Sequence, residues 1–199
     1  MTNHNLEPLA FEVESATSEH SAHPASELLE RESENGWQSS PLSDELLQDV
    51  VLRLRDGPCS IHTIELLAHE YLIPQKIEIT IASNYADNDS ERVLVDPAQS
   101  FDECVNIRKL GYVAFSQNAE SSYSARELKT ISLGGQKANF VKLRLHSPHP
   151  NELNVHNQVA LVGLELIGHS ASSTSKDGSS NQVVDMLQVN DLSEAKEEE

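Results

Sequence analysis

Hydrophobic and polar positions alternate with a period of two through the middle of the chain. Ile77, Ile79 and Ile81 interleave with Glu78, Thr80 and Ala82, and Val141, Leu143 and Leu145 interleave with Lys142, Arg144 and His146. Such runs predict strands with one buried and one wet face. Val50, Leu52 and Leu54 repeat the pattern against Val51, Arg53 and Arg55, and Ile61 to Leu67, Gly111 to Phe115 and Leu128 to Leu133 read as further strands. Val159 to Ile167 is apolar at nearly every position, which predicts a central strand covered on both faces. Turn formers separate the runs: Asp56-Gly57-Pro58, Asn84 to Ser90, Gly134-Gly135, and Ser147 to Asn151. No helical period persists over ten or more residues. The pattern predicts an all-β fold, an antiparallel β-sandwich of about eight strands. Phe11, Val13 and Trp37 extend it towards the N-terminus. Trp37, the sole tryptophan, reads first as a packing residue and second as a ligand-stacking one.

Charge then divides the chain. The protein has 199 residues, with 14 Lys and Arg against 32 Asp and Glu, a formal charge of −18. The first 34 residues hold eight acids and one base, and residues 170–199 hold seven acids and two bases. The body between carries 17 acids and 11 bases, and within it Val105 to Arg144 holds seven bases and only Glu120 and Glu127 as acids. The total disfavours nucleic acid and anionic lipid as partners, while the basic stretch suits an acidic protein segment. Residues 170–199 are Ser-rich and acidic, too poor in apolar surface to offset the entropy of ordering, so a disordered acidic tail is expected. The expected organisation is a flexible N-terminus (1–9), one β-sandwich domain (10–169) and the tail (170–199). The residues after Met1 have neither a basic start nor an apolar core, and no apolar run is long enough for a membrane span. The expected compartment is the cytoplasm, with Cys59 and Cys104 as thiols.

Four ordered motifs carry a resemblance. They are Ile64 to Ile81, Ile107-Arg108-Lys109-Leu110-Gly111-Tyr112-Val113, Tyr123 to Lys129, and Asn154-Val155-His156-Asn157-Gln158 leading into Val159 to Leu164. In that order and spacing, with Gly36-Trp37-Gln38-Ser39 before them, they resemble the N-terminal jelly-roll domain of the 104-kDa centrosomal (ciliary-tip) protein family over roughly residues 10–169. The resemblance implies a sandwich of the discoidin or galactose-binding-like type, acting as an interaction module in cilium or centriole assembly and located at the cilium or centrosome. Family members continue into coiled coil, a tubulin-binding TOG domain and zinc-binding segments. None of these lies in the 199 residues, so tubulin and zinc binding are not carried over. The chain is either a fragment or a short paralogue. Val183 to Leu192 reads equally as a partner-binding motif or as the start of a further element.

Catalytic chemistry finds little footing. Neither cysteine sits in a nucleophile signature, and no catalytic residue, cofactor or resident metal is expected. His146, His149 and His156 surround a Pro-rich loop and are the best transition-metal candidates, with solvated loop histidines as the ordinary alternative. Asp87, Asp89 and Glu91 cluster oxygen ligands and are calcium candidates, although an EF-hand's glycine and closing glutamate are missing. Asn154, Asn157 and Gln158 precede the most apolar strand and are assigned to sheet-corner hydrogen bonding. The partner-binding candidates are Trp37, Arg108, Lys109, Tyr112, Arg126, Lys142 and Arg144. The alternative function is a lectin-like, carbohydrate-binding sandwich, which stacks sugar rings on exposed aromatics.

Overall fold

The computed structural model describes residues 6–30, 35–41, 43–84 and 100–170. Ten strands are present among them: β1 (Glu7–Pro8), β2 (Phe11–Ala16), β3 (Trp37–Gln38), β4 (Gln48–Leu54), β5 (Cys59–Ala68), β6 (Lys76–Ser83), β7 (Asn106–Ala114), β8 (Leu128–Ala138), β9 (Phe140–Leu145) and β10 (Ala160–His169). They form two antiparallel sheets. Sheet A runs β1-β10-β5-β8 with β3 also on β10, and sheet B runs β2-β4-β9-β6-β7. Alternate residues of each strand face the neighbouring sheet, and Leu52, Ile64, Leu66, Ile77, Leu143 and Leu161 are fully buried there.

Several expectations shift in instructive ways. Pairing begins before residue 10, because Glu7 and Pro8 lie opposite Gly168 and Ile167 and the Leu9 amide donates to the Leu166 carbonyl at 2.8 Å. The strand at Val159 to Ile167 is central, yet only one of its faces is sealed: Gly163, Glu165 and Ile167 are half-buried on the outside of sheet A. The apolar run misled because, among the described residues, no second layer seals the outside of β10 at these positions. Gly134-Gly135 is no turn. Both residues have positive φ inside β8, where the register against β5 jumps between Ile61 and Thr63, so the pair makes a bulge that an L side chain would strain. β7 begins at Asn106, five residues before the alternation announces it, and is itself bulged between Lys109 and Gly111. All of the expected tail, 170–199, except Ser170 lies outside the described residues.

The sandwich has two ends. Segments 17–30, 35–41, 43–47, 69–75, 115–127 and 146–159 cross or cap the end where β4 and β6 start; it is called the loop end below. Trp37 anchors this end. Its side chain is fully buried and its indole N–H donates to the Ser18 carbonyl at 3.1 Å, while its backbone pairs with Leu161. A partner-binding role for Trp37 is therefore corrected to packing.

Candidate functional site

The outer face of sheet B gathers most of the strand-borne charge. Antiparallel register lines up Asp49, Arg144, Glu78 and Tyr112 across β4, β9, β6 and β7, and on the next outward rung Val51, Lys142, Thr80 and Lys109. Opposite charges thus become direct cross-strand neighbours. Asp49 accepts from Arg144 Nε and Nη2 at 2.7 and 2.8 Å and faces Lys142 Nζ at 2.9 Å. Burial opposes ionisation of Asp49, but the hydrogen bonds from Arg144 and Lys142 outweigh it and hold the carboxyl below its usual range. Glu78 lies 2.6 Å from Lys109 Nζ, 3.1 Å from His146 Nε2 and 3.6 Å from Lys76 Nζ. The Lys109 hydrogen bond lowers its pKa against a small burial cost. Arg53 stands 3.8 and 3.7 Å from Glu12 and Glu14. Lys142 and Arg144 are consequently half of an alternating lattice and do not form a free basic patch.

One corner of this face is covered. The 3-10 turn Phe101–Glu103 lays Phe101 edge-on against Phe140, with Val51, Ala82 and Cys104 completing a small apolar cluster. Burial, with Glu14 and Glu103 nearby, pushes the Cys104 thiol up to about 11, so it stays protonated and unreactive at neutral pH. A cleft of about 210 Å³ opens beside the turn, lined by Glu14, Asp49, Asp102, Lys142 and Phe101.

The β7 edge is different. Arg108 points inward and its guanidinium donates to Gln136 of β8, tying the two sheet edges together. An inward charge and a bulge on an edge strand are both devices against unwanted strand pairing. Ile107, Lys109 and Tyr112 point outward beside the ion-pair lattice. Tyr112 is 68% exposed with the Lys76 ammonium 5.4 Å from its ring, and the Lys109 side chain is 60% exposed. No acid occurs from Val105 to Ala119. Of the seven expected contact residues, the structure groups Lys109 and Tyr112 here with Arg108 behind them.

At the loop end, Arg126 pairs with Glu70 at 2.6 Å, far from β7's outward face. Asn154 Oδ1 accepts from the Gln158 amide and its Nδ2 donates to the Gln158 carbonyl, while Gln158 Nε2 donates to the Ser39 carbonyl at 2.6 Å. These two amides hold the sheet corner. Asn157 contributes a left-handed backbone, with φ at 52°, which asparagine tolerates well. The three candidate histidines diverge: His146 faces Glu78, His149 Nε2 contacts the Phe115 carbonyl at 2.8 Å, and His156 is exposed. Among the described residues no group of three His, Cys, Asp or Glu is disposed to hold a metal ion. Asp87, Asp89 and Glu91 lie outside the described residues. No helix among the described residues is long and apolar enough to cross a membrane.

The half-buried partners Asp49, Glu78 and Glu70 escaped sequence reasoning, because pairing across strands depends on register. Only the presence of acids on the wet positions of the β4 and β6 runs hinted at them.

A family profile described as Centrosomal protein CEP104, N-terminal domain, matches residues 36–168. The chain belongs to this family. Within it, Centrosomal protein of 104 kDa from Homo sapiens is 34% identical over 157 residues, covering 76% of this chain and 15% of that protein. The chain therefore spans a small part of the relative's length. In fold, this CEP104-type N-terminal domain is similar to the family 32 carbohydrate-binding module of C. perfringens NanJ solved with galactose, with a TM-score of 0.59 and 15% identity, covering 82% of this chain and 99% of the module. It is similar also to reduced XRCC1 bound to the DNA polymerase β catalytic domain, with a TM-score of 0.54 and 14% identity over 80% of this chain and 97% of that one. The domain is an all-β jelly roll of the discoidin and galactose-binding-like type.

Proposed function

We propose that this centrosomal-family domain is a non-enzymatic interaction module working at the centrosome or cilium, and that it seats an acidic segment of a protein partner against the outward face of β7. The supporting observation is the concentration of exposed Tyr112, Ile107 and Lys109 on an edge strand that lies within a stretch, Val105 to Ala119, without an acid. Aromatic and aliphatic side chains supply contact area there, and Lys109 supplies charge that is only partly used by Glu78. Lys142 and Arg144 serve the fold in this reading, through Asp49. The galactose-bound neighbour keeps a carbohydrate reading in view, but one fold hosting a sugar in one protein and a polymerase domain in another leaves function to the site.

Proximity labelling in a ciliated cell tests the proposal, comparing the full chain with a Tyr112→Ala/Lys109→Glu variant. The wild-type chain is expected to label centrosomal or ciliary proteins and the variant to lose most of that enrichment. Equal labelling by both would remove β7 from the reading. A glycan array probed with the full chain separates the carbohydrate alternative, which predicts reproducible binding to defined sugars.

A further inference from the structure

The loop end carries charge of the opposite sign, and it carries it unbalanced. Its described segments, residues 17–30, 35–41, 43–47, 69–75, 115–127 and 146–159, contain nine acids and one Lys or Arg. That residue, Arg126, is held by Glu70, and Glu127 is paired with Lys129 of β8, which leaves seven acids, Asp44, Glu45 and Glu152 among them, beyond these two pairs. Aliphatic side chains stand among the acids. Leu46 is 76% exposed and Val155 74%, and Leu47 and Leu153 are exposed as well. Asp44-Glu45-Leu46-Leu47 and Glu152-Leu153-Asn154-Val155 thus repeat one composition, acids followed by outward aliphatics, on two loops that both cross between the sheets at this end.

Both loops are braced from beneath. Asn151 Oδ1 accepts from the Leu153 and Asn154 amides at 3.0 Å each, and Asn151 Nδ2 donates to the Tyr71 carbonyl at 2.8 Å. Asn154 and Gln158 continue the bracing to Ser39. The Gln48 side chain is buried and donates to the Glu45 carbonyl at 2.8 Å and to Ser43 Oγ at 3.1 Å. Ser39 ties its own segment to the end of the 146–159 loop, since its amide donates to the Val159 carbonyl and its Oγ accepts from the Val159 amide. Fixed loops that hold aliphatics in water lose little further freedom when a partner covers them, which is the arrangement that favours binding.

We infer that the loop end is a second docking surface, distinct from β7, which takes a basic segment of a protein partner bearing aliphatic side chains. Leu46, Leu47, Leu153 and Val155 provide the apolar contact, and Asp44, Glu45 and Glu152 beside them select Lys and Arg and reject acidic segments. The domain then presents a cationic, aromatic edge and an anionic, aliphatic end, suited to joining two partners of opposite charge.

Amide chemical-shift mapping of the full chain tests this with a short Lys/Leu peptide and with a peptide of the same charge in which every Leu is Ser. The Lys/Leu peptide is expected to shift amides of residues 43–47 and 151–158 and to bind at least tenfold more tightly than the Ser peptide. Leu153→Ser/Val155→Ser is expected to weaken it about tenfold, whereas Tyr112→Ala leaves it unchanged, so failure here and failure at β7 are separable. Retained spectral dispersion certifies that the double variant is folded; if it is not, Glu45→Lys/Glu152→Lys serves in its place and is expected to weaken both peptides. Shifts spread over other acidic segments with the two peptides binding alike, or variants that bind like the wild type, would overturn the inference.

Discussion

On the outer face of sheet B, Asp49 and Glu78 each sit between bases of neighbouring strands, whereas the described loop-end segments hold nine acids and one Lys or Arg, Arg126, which Glu70 holds, with Glu127 alone reaching out to Lys129 of β8 among the ion pairs seen there. The first region holds the most conspicuous bases in the sequence and has little charge left to offer. The second contains nothing conspicuous and keeps its charge. A binding surface is therefore located by which charges lack a cross-strand counterpart, more than by how many lie in one stretch of chain. The reason is geometric: strand register brings residues 95 positions apart, such as Asp49 and Arg144, into bidentate contact.

The comparison breaks most severely if the loop end is not firmly built. Gly36 has φ at +62°, and a Cβ there would come within 2.2 Å of the Leu161 carbonyl oxygen and 2.4 Å of Val162 Cα. Gly36→Ala should undock Trp37 and β3 from β10 and cost on the order of 3 kcal/mol, read by urea unfolding. A cost below about 1 kcal/mol would mean that the loop end stands without that anchor.

Acid titration of stability sharpens the contrast at intermediate scale. Burial lowers the pKa of His69, against the opposing charge of Glu70 and with help from Arg126 and His23. The folded protein then binds this proton less readily than the unfolded chain, so stability falls as pH drops below about 6.5. The depressed carboxyls of Asp49 and Glu78 act later: their contribution is present above the usual carboxylate range near pH 4 and is lost as pH falls through their lowered values. Thermal melts should therefore show two falls. His69→Gln should remove the one that sets in below about pH 6.5, and Asp49→Asn should reduce the one below about pH 4, by about 1 kcal/mol or less for groups this exposed.

The smallest stability effect is expected where the binding effect is largest. Leu153→Ser/Val155→Ser touches outward side chains and should change unfolding free energy by no more than about 0.5 kcal/mol per site. A larger loss would identify these residues as packing groups and return the loop end to the fold.

Much of the architecture was legible in sequence, for physical reasons that also explain the failures. Ile77-Ile79-Ile81 and Val141-Leu143-Leu145 announced their strands because one face of each is sealed and the other wet. β7 was half hidden because both its faces are partly open at a sheet edge, so Ile107, Leu110 and Tyr112 do not alternate. Gly134-Gly135 looked like a turn because glycine pairs serve turns and bulges equally. The corner amides Asn154 and Gln158 drew attention by their place before the most apolar strand, and they bond to each other and to Ser39. Lys142 and Arg144 were read as an available surface because their partner Asp49 is contributed by a distant strand, and Leu153 and Val155 passed unnoticed because single aliphatics in a polar loop carry no periodic signal.

A double-mutant cycle on Asp49 and Arg144, followed by unfolding of the full chain, measures most directly whether the sheet B bases belong to the fold. A structural role predicts that Asp49→Ala and Arg144→Ala are each destabilising and couple by about 1 kcal/mol, with proximity labelling by the Arg144→Ala variant unchanged. Coupling indistinguishable from zero, together with labelling lost in Arg144→Ala, would contradict it and make the outer face of sheet B the binding surface.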